Sequence, residues 1–188
     1  MANAAVAGLD IAVKLALLGL LAHAVLNPEL PQYAGKAMAG RAVVFPIAAM
    51  AVPILWFAVA RDRPYPFLID LLFTAPFLID VGGNALDLYD RIDWWDDLNH
   101  FVNWGLLTSA IALVLQSTGL DGLTRFGLSV GFAALTAIVW ELAEYIAFIR
   151  FSDELATAYT DTLGDLALGT LGGALGAAVV GFAGRDGL

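Results

Sequence analysis

The chain has 188 residues, is 60% hydrophobic and only 14% charged, and carries a net charge of −9. Soluble domains are nearer half apolar and a quarter charged, so this composition points to a membrane protein. The shortage of Lys and Arg excludes a nucleic-acid binder. The absence of cysteine excludes disulfides, thiolate metal sites and cysteine nucleophiles.

Six apolar stretches follow one another, each near the roughly 20 residues that cross about 30 Å of hydrocarbon. The first, Leu9 to Leu26, contains Lys14 and His23 and is followed by Pro28 and Pro31. It lacks a basic leader and a small-x-small cleavage site, so it reads as a retained helix rather than a removed signal peptide. The second, Ala42 to Ala60, contains Pro46 and Pro53, which membrane helices tolerate. A polar turn, Arg61-Asp62-Arg63-Pro64, leads to the third, Pro66 to Leu88, which holds Asp70, Asp80, Asn84 and Asp87.

An acidic, aromatic connection from Tyr89 to Asp97 comes next, with Trp94 and Trp95 matching the aromatic belt of a membrane interface. The fourth stretch runs from Asp97 to Ser117, the fifth from Arg125 to Ile149 and the sixth from Asp161 to Ala183. The expected fold is therefore all-α: a polytopic membrane bundle of about six transmembrane helices, in one domain spanning residues 1–188. In the sixth stretch Gly169 and Gly173, like Gly172 and Gly176, form small-xxx-small pairs that let helix backbones approach closely.

With the N-terminus inside, Arg61, Arg63, Arg125 and Arg185 fall on the inner side, and Lys36, Arg41, Arg91 and Arg150 on the outer. This even split gives little positive-inside signal. The closely spaced Arg61 and Arg63, in the shortest connection, favour a cytoplasmic N-terminus.

Most of the acidic residues lie between Asp80 and Asp165, against three basic ones, Arg91, Arg125 and Arg150. Asp80 and Glu141 each fall about 13 Å inside their helices, where a charge costs at least about 2.5 kcal/mol unless it faces a partner or a wet cavity. Spacing sorts these residues onto shared faces. Asp80, Asn84 and Asp87 recur at i, i+4 and i+7; Asp96 and Asp97 stand four and three residues before His100, with Trp104 one turn on. Glu141, Glu144 and Tyr145 share a face, and Asp161 and Asp165 lie at i, i+4. Alternating helix direction brings all four groups toward one side of the membrane.

Converging carboxylates without cations repel, and either proton sharing or a bound divalent cation relieves them. Carboxylates with a single imidazole suit Mg²⁺, Mn²⁺, Ca²⁺ or Zn²⁺. The expected ligands are Asp96, His100, Glu141, Asp161 and Asp165, with Glu141, Glu144 and Asp97 as catalytic carboxylates and Asp80 and Asn84 completing the polar centre. The blander readings are specific too. Asp96, Asp97 and Asp161 sit where helices begin and suit N-caps. Asp70 is placed to pair with Arg61 or Arg63, and His23 reads as a packed, hydrogen-bonded side chain.

Three segments, Asp96-Asp97-Leu98-Asn99-His100-Phe101, Glu141-Leu142-Ala143-Glu144-Tyr145 and Tyr159-Thr160-Asp161-Thr162-Leu163-Gly164-Asp165-Leu166, resemble the uncharacterised bacterial inner-membrane family typified by YjdF. More distantly they resemble VanZ-like membrane proteins. The resemblance covers the chain from Asp80 onward and implies a multi-helix protein of the bacterial cytoplasmic membrane with a polar site. It supplies no reaction.

Two functional classes follow. One is a metal-dependent membrane enzyme acting on a lipid or lipid-linked substrate, in which a cation activates water. The other is a proton- or ion-coupled transporter using Asp80, Glu141 and His100 as protonatable groups. An accessory subunit of a membrane complex is a third reading, and homo-oligomerisation is compatible with each.

Overall fold

The computed structural model describes residues 2–183; Arg185, counted above with the inner side, lies outside them. Among the described residues there are helices and no strands. The elements are α1 (Ala2–Leu26), α2 (Met38–Ala49), α3 (Ala51–Val59), α4 (Phe67–Ala85), α5 (Leu88–Arg91), α6 (Trp95–Gln116), α7 (Gly122–Ala147) and α8 (Ala158–Ala183), with two short 3-10 turns between α7 and α8. Six helical spans are long and apolar enough to cross a membrane, the second being α2 and α3 together, Met38–Val59. The chain divides into two compact units at the Arg91–Ile92 junction.

The α2–α3 break at Met50 follows from the prolines. Pro53 has no N–H to donate to the carbonyl of Ala49, so the helical ladder is interrupted there. The Met50 amide instead splits its bond between Pro46 and Ile47, and α3 restarts with Ile54 bonding back to Met50.

In the first unit α1 packs on α4 and α2. The buried stripe of α1 is Asp10, Val13, Leu17, Leu21 and Ala24, spaced at three and four residues. Leu9, Ile11, Leu15 and Leu18 on its other faces are exposed. α4 likewise buries Asp70, Thr74, Asp80 and Asn84 while Leu68 stays outside. Polar groups inside and apolar groups outside is the arrangement that hydrocarbon demands, because lipid offers no hydrogen bonds.

Two polar clusters bind this unit together. Near the start of α4, Lys14 donates to both Asp10 and Asp70, at 2.9 Å to Asp10. Tyr65 also donates to Asp70, and the Thr74 hydroxyl lies 3.4 Å from the same carboxylate. Burial and the neighbouring Asp70 carboxylate push the Tyr65 phenol above its ordinary pKa. The partner of Asp70 is thus Lys14 rather than Arg61 or Arg63, which are exposed. A lysine one helix away can reach inward, whereas the two arginines occupy a turn that points into solvent.

Near the end of α4, Arg41 Nε donates to Asp80 Oδ2 at 2.9 Å and the Tyr89 hydroxyl donates to Asp80 Oδ1 at 2.9 Å. Asn84 Nδ2 donates to the Asp80 backbone carbonyl at 3.0 Å. Lys36 adds an ion pair to Asp90 at 2.6 Å. α4 stops before Asp87, which takes a left-handed backbone at φ 60°, a conformation that Asp tolerates. His23, although exposed, bonds the buried Tyr33 hydroxyl through Nδ1 at 3.0 Å.

The second unit is α6, α7 and α8, with α8 packed against both others. Glycine permits the close approach. A Cβ on Gly172 would stand 1.9 Å from the Phe101 carbonyl oxygen, and one on Gly176 would stand 2.3 Å from that of Gly105. Gly173 faces Ala133 of α7 at 2.3 Å in the same sense. Gly172 and Gly176 thus meet α6 backbone, Gly169 meets the Trp104 side chain of α6, and Gly173 sits between Thr108 of α6 and Ala133 of α7.

Candidate metal centre

α6 begins two residues earlier than the apolar run suggests, with Trp94 as its cap residue and no side-chain cap bond. Asp96 and Asp97 are therefore first-turn residues rather than N-caps. They still favour the positive end of the helix dipole. α8 starts at Ala158, so Asp161 is not its cap either. The side-chain cap in this unit is Asp121, which accepts from the amides of Leu123 and Thr124 at 3.0 Å. Its Oδ2 accepts from the Thr124 hydroxyl at 2.6 Å. These hydrogen bonds, the hydroxyl first, hold the Asp121 carboxyl below the usual carboxylate range.

The shift of start leaves the faces as spacing predicts. His100 and Trp104 are buried on the inner face of α6, with Asp96 half-exposed one turn before His100. Glu141 is buried on α7 and Asp165 on α8, each 6% exposed or less. The imidazole is the meeting point. His100 Nε2 lies 3.7 Å from Asp96 Oδ1 and 3.8 Å from Asp165 Oδ1, and Nδ1 lies 3.8 Å from Glu141 Oε1. Two donor sets result, Asp96–His100–Asp165 and His100–Glu141–Glu144, each with its ligand atoms within 4.8 Å of one another.

Among the described residues, the cation-forming side chain within ion-pair reach of Glu141 and Asp165 is His100 alone. Three carboxylates, those of Asp96, Glu141 and Asp165, thus stand around a single ring. One imidazole cannot balance that many carboxylates. Glu141 Oε2 accepts from the Thr162 hydroxyl at 3.0 Å, but its Oε1 is buried with no hydrogen-bond partner. A buried carboxylate oxygen without a donor is costly, and a cation or a proton-bearing group beside it removes that cost.

Ligands at 2.1 Å in a tetrahedron are separated by about 3.4 Å; the separations from Nε2 are 3.7 and 3.8 Å, and all three donor atoms of that set lie within 4.8 Å of one another, so the group could hold a metal ion. The donor chemistry, several carboxylates and one imidazole, suits borderline or hard divalent ions.

The expected site residues therefore divide. Asp96, His100, Glu141, Glu144 and Asp165 come together. Asp97 and Asp161 are exposed and belong to neither donor set, although the Gly164 Cβ position lies 4.0 Å from Asp97 Oδ1. Asp80 and Asn84 have their partners within the first unit. Thr162, which binds Glu141, is not among the site residues expected from the sequence. Its signal lay in the Asp161-Thr162-x-x-Asp165 run, which sets Thr162 three residues before Asp165 on one face.

The family described as "Predicted membrane protein (DUF2238)" matches residues 11–186. No curated protein and no solved structure matches the chain.

Proposed function

From the premise that the chain belongs to this family of membrane proteins, we propose that its second unit is the divalent-metal centre of a membrane enzyme acting on a lipid or lipid-linked substrate. The observation that carries this reading is the convergence on buried His100 of carboxylates from three helices, Asp96, Glu141 and Asp165. A bound Mg²⁺, Mn²⁺, Ca²⁺ or Zn²⁺ would supply Lewis acidity and an activated water. Glu144, which shares a donor set with His100, is the carboxylate proposed as general base.

A lipid substrate is supported by where the cluster opens. Asp96 is half-exposed and Asp97 and Asp161 are exposed, beside exposed Trp94 at the head of α6. A tryptophan there suits headgroup depth. The closely spaced Arg61 and Arg63 support a cytoplasmic N-terminus in a bacterial cytoplasmic membrane, which puts this mouth at the outer leaflet. The proton-carrier reading is weaker, because Asp80, one of its three groups, is engaged by Arg41 and Tyr89.

Elemental analysis of the purified protein in nanodiscs tests the metal. The expected result is one divalent ion per chain, lost in His100→Ala. A metal-free protein whose thermal unfolding responds to no divalent cation overturns the proposal. For the activity, a lipid extract incubated with wild type should lose one lipid class in a chelator-sensitive way. An identical lipid profile with wild type and His100→Ala removes the enzyme reading.

A further inference from the structure

The two nitrogens of His100 face different carboxylates, and one ion can take only one of them. Nε2 faces Asp96 and Asp165; Nδ1 faces Glu141. Resting on the metal reading above, we propose that the ion binds at the Nε2 edge with Asp96 and Asp165, and that Glu141 is a positioning residue that accepts a hydrogen bond from Nδ1–H.

Three observations favour this edge. Glu141 is already fixed by Thr162 through Oε2, so its remaining oxygen, Oε1, points at Nδ1 as a single acceptor. That oxygen is buried and has no other donor, which a ring N–H at Nδ1 would satisfy. The Nε2 edge, in contrast, opens outward through Asp96, whose side chain is 42% exposed, so water and substrate can reach it. A metal-bound histidine whose second nitrogen donates to a carboxylate has its tautomer and ring orientation fixed, and loss of such a partner typically weakens metal binding about 10–100-fold.

The tautomer follows from the same geometry. With the proton on Nδ1, the Nε2 lone pair is free to bind the ion, and the neutral ring meets the ion beside two carboxylates. Glu144, in the second donor set, then has no direct bond to the ion.

The test uses Cu²⁺ as a paramagnetic probe on the full-length protein in nanodiscs. Pulsed EPR reads the remote, non-coordinated imidazole nitrogen, whose quadrupole coupling reports its hydrogen bond. In Glu141→Leu the ion should remain at one per chain with affinity weaker by about 10–100-fold, and the remote-nitrogen signal should shift. Glu141→Gln, which keeps an acceptor oxygen, should recover part of the affinity and of the signal. Asp165→Asn should weaken binding more than either, with the remote-nitrogen coupling of any residual bound ion unchanged. An unshifted remote nitrogen in Glu141→Leu overturns the inference and leaves the metal reading intact, as does binding of two ions per wild-type chain or loss of the ion from Glu141→Leu but not from Asp165→Asn. If wild type binds no divalent ion, the metal reading itself fails, and this inference with it.

Discussion

Replacing Gly172 with Ala should separate two of the helices that form the candidate metal centre. The added Cβ would lie 1.9 Å from the Phe101 carbonyl oxygen, against 3.4 Å for ordinary contact. The shortfall is about 1.5 Å, the difference of those two distances, and the obstacle is backbone rather than a side chain that could swing away. α6 and α8 must move apart or shear, and overpacking of this kind costs about 1–3 kcal/mol. Asp165 lies two turns from Gly172 on α8, and His100 adjoins Phe101 on α6, so a separation of that size lengthens the 3.8 Å contact between Nε2 and Asp165. The assay is unfolding in mixed micelles together with divalent-cation affinity, each compared with Gly131→Ala on α7, where nothing lies within 4 Å of the Cβ position. Gly172→Ala should lose both stability and affinity, and Gly131→Ala neither. Equal behaviour of the two variants would refute the argument that glycine sets the α6–α8 distance.

Other expectations follow from the first unit and from the α7 cap. Lys14→Met leaves Asp10 and Asp70 buried without their cation and should destabilise the protein by about 3 kcal/mol, from the cost of orphaning a buried charge. Adding Asp70→Asn should restore part of that loss, and an unfolding titration of the single and double variants measures both. Asp121→Ala should lower Tm at neutral pH. Because the Asp121 carboxyl is held below its ordinary value, its contribution is present above about pH 3.9 and fades as pH falls through the folded value. Wild type and Asp121→Ala should therefore converge in Tm toward acid pH, and a constant gap would count against the cap. Pro53→Ala should restore the missing bond to the Ala49 carbonyl and join α2 to α3. Closer nitroxide distances between labels flanking Met50 would contradict it, since a joined helix is longer.

The spans were legible because hydropathy and length decide them with no reference to neighbours, and the glycine pairs announced where α8 would pack. The faces of Asp96, His100, Glu141 and Asp165 were legible as well, since helical spacing holds whatever the helix touches. Partner choice was not. Nothing local in the sequence distinguishes Lys14 from Arg61 as the partner of Asp70, because that depends on which helix lies alongside α4. Nor does spacing say that Asp80 meets Arg41 across 39 positions. The roles of Asp96 and Asp97 turned on where α6 begins: two residues convert a cap into a first-turn carboxylate. The same imprecision hid Asp121, because the apolar run of α7 becomes obvious only after the true start.

The contacts of α8 also bear on how the protein is made. Its glycines lock it against α6, Gly173 against α7, and Thr162 to Glu141. A one-residue slip turns a helix by 100° and would carry Asp165 away from His100. Until α8 has docked, the α6–α7 hairpin carries His100 and Glu141 without Asp165 and Thr162 beside them. The imidazole and its carboxylates from α7 and α8 therefore come together only once the last of the three helices has docked.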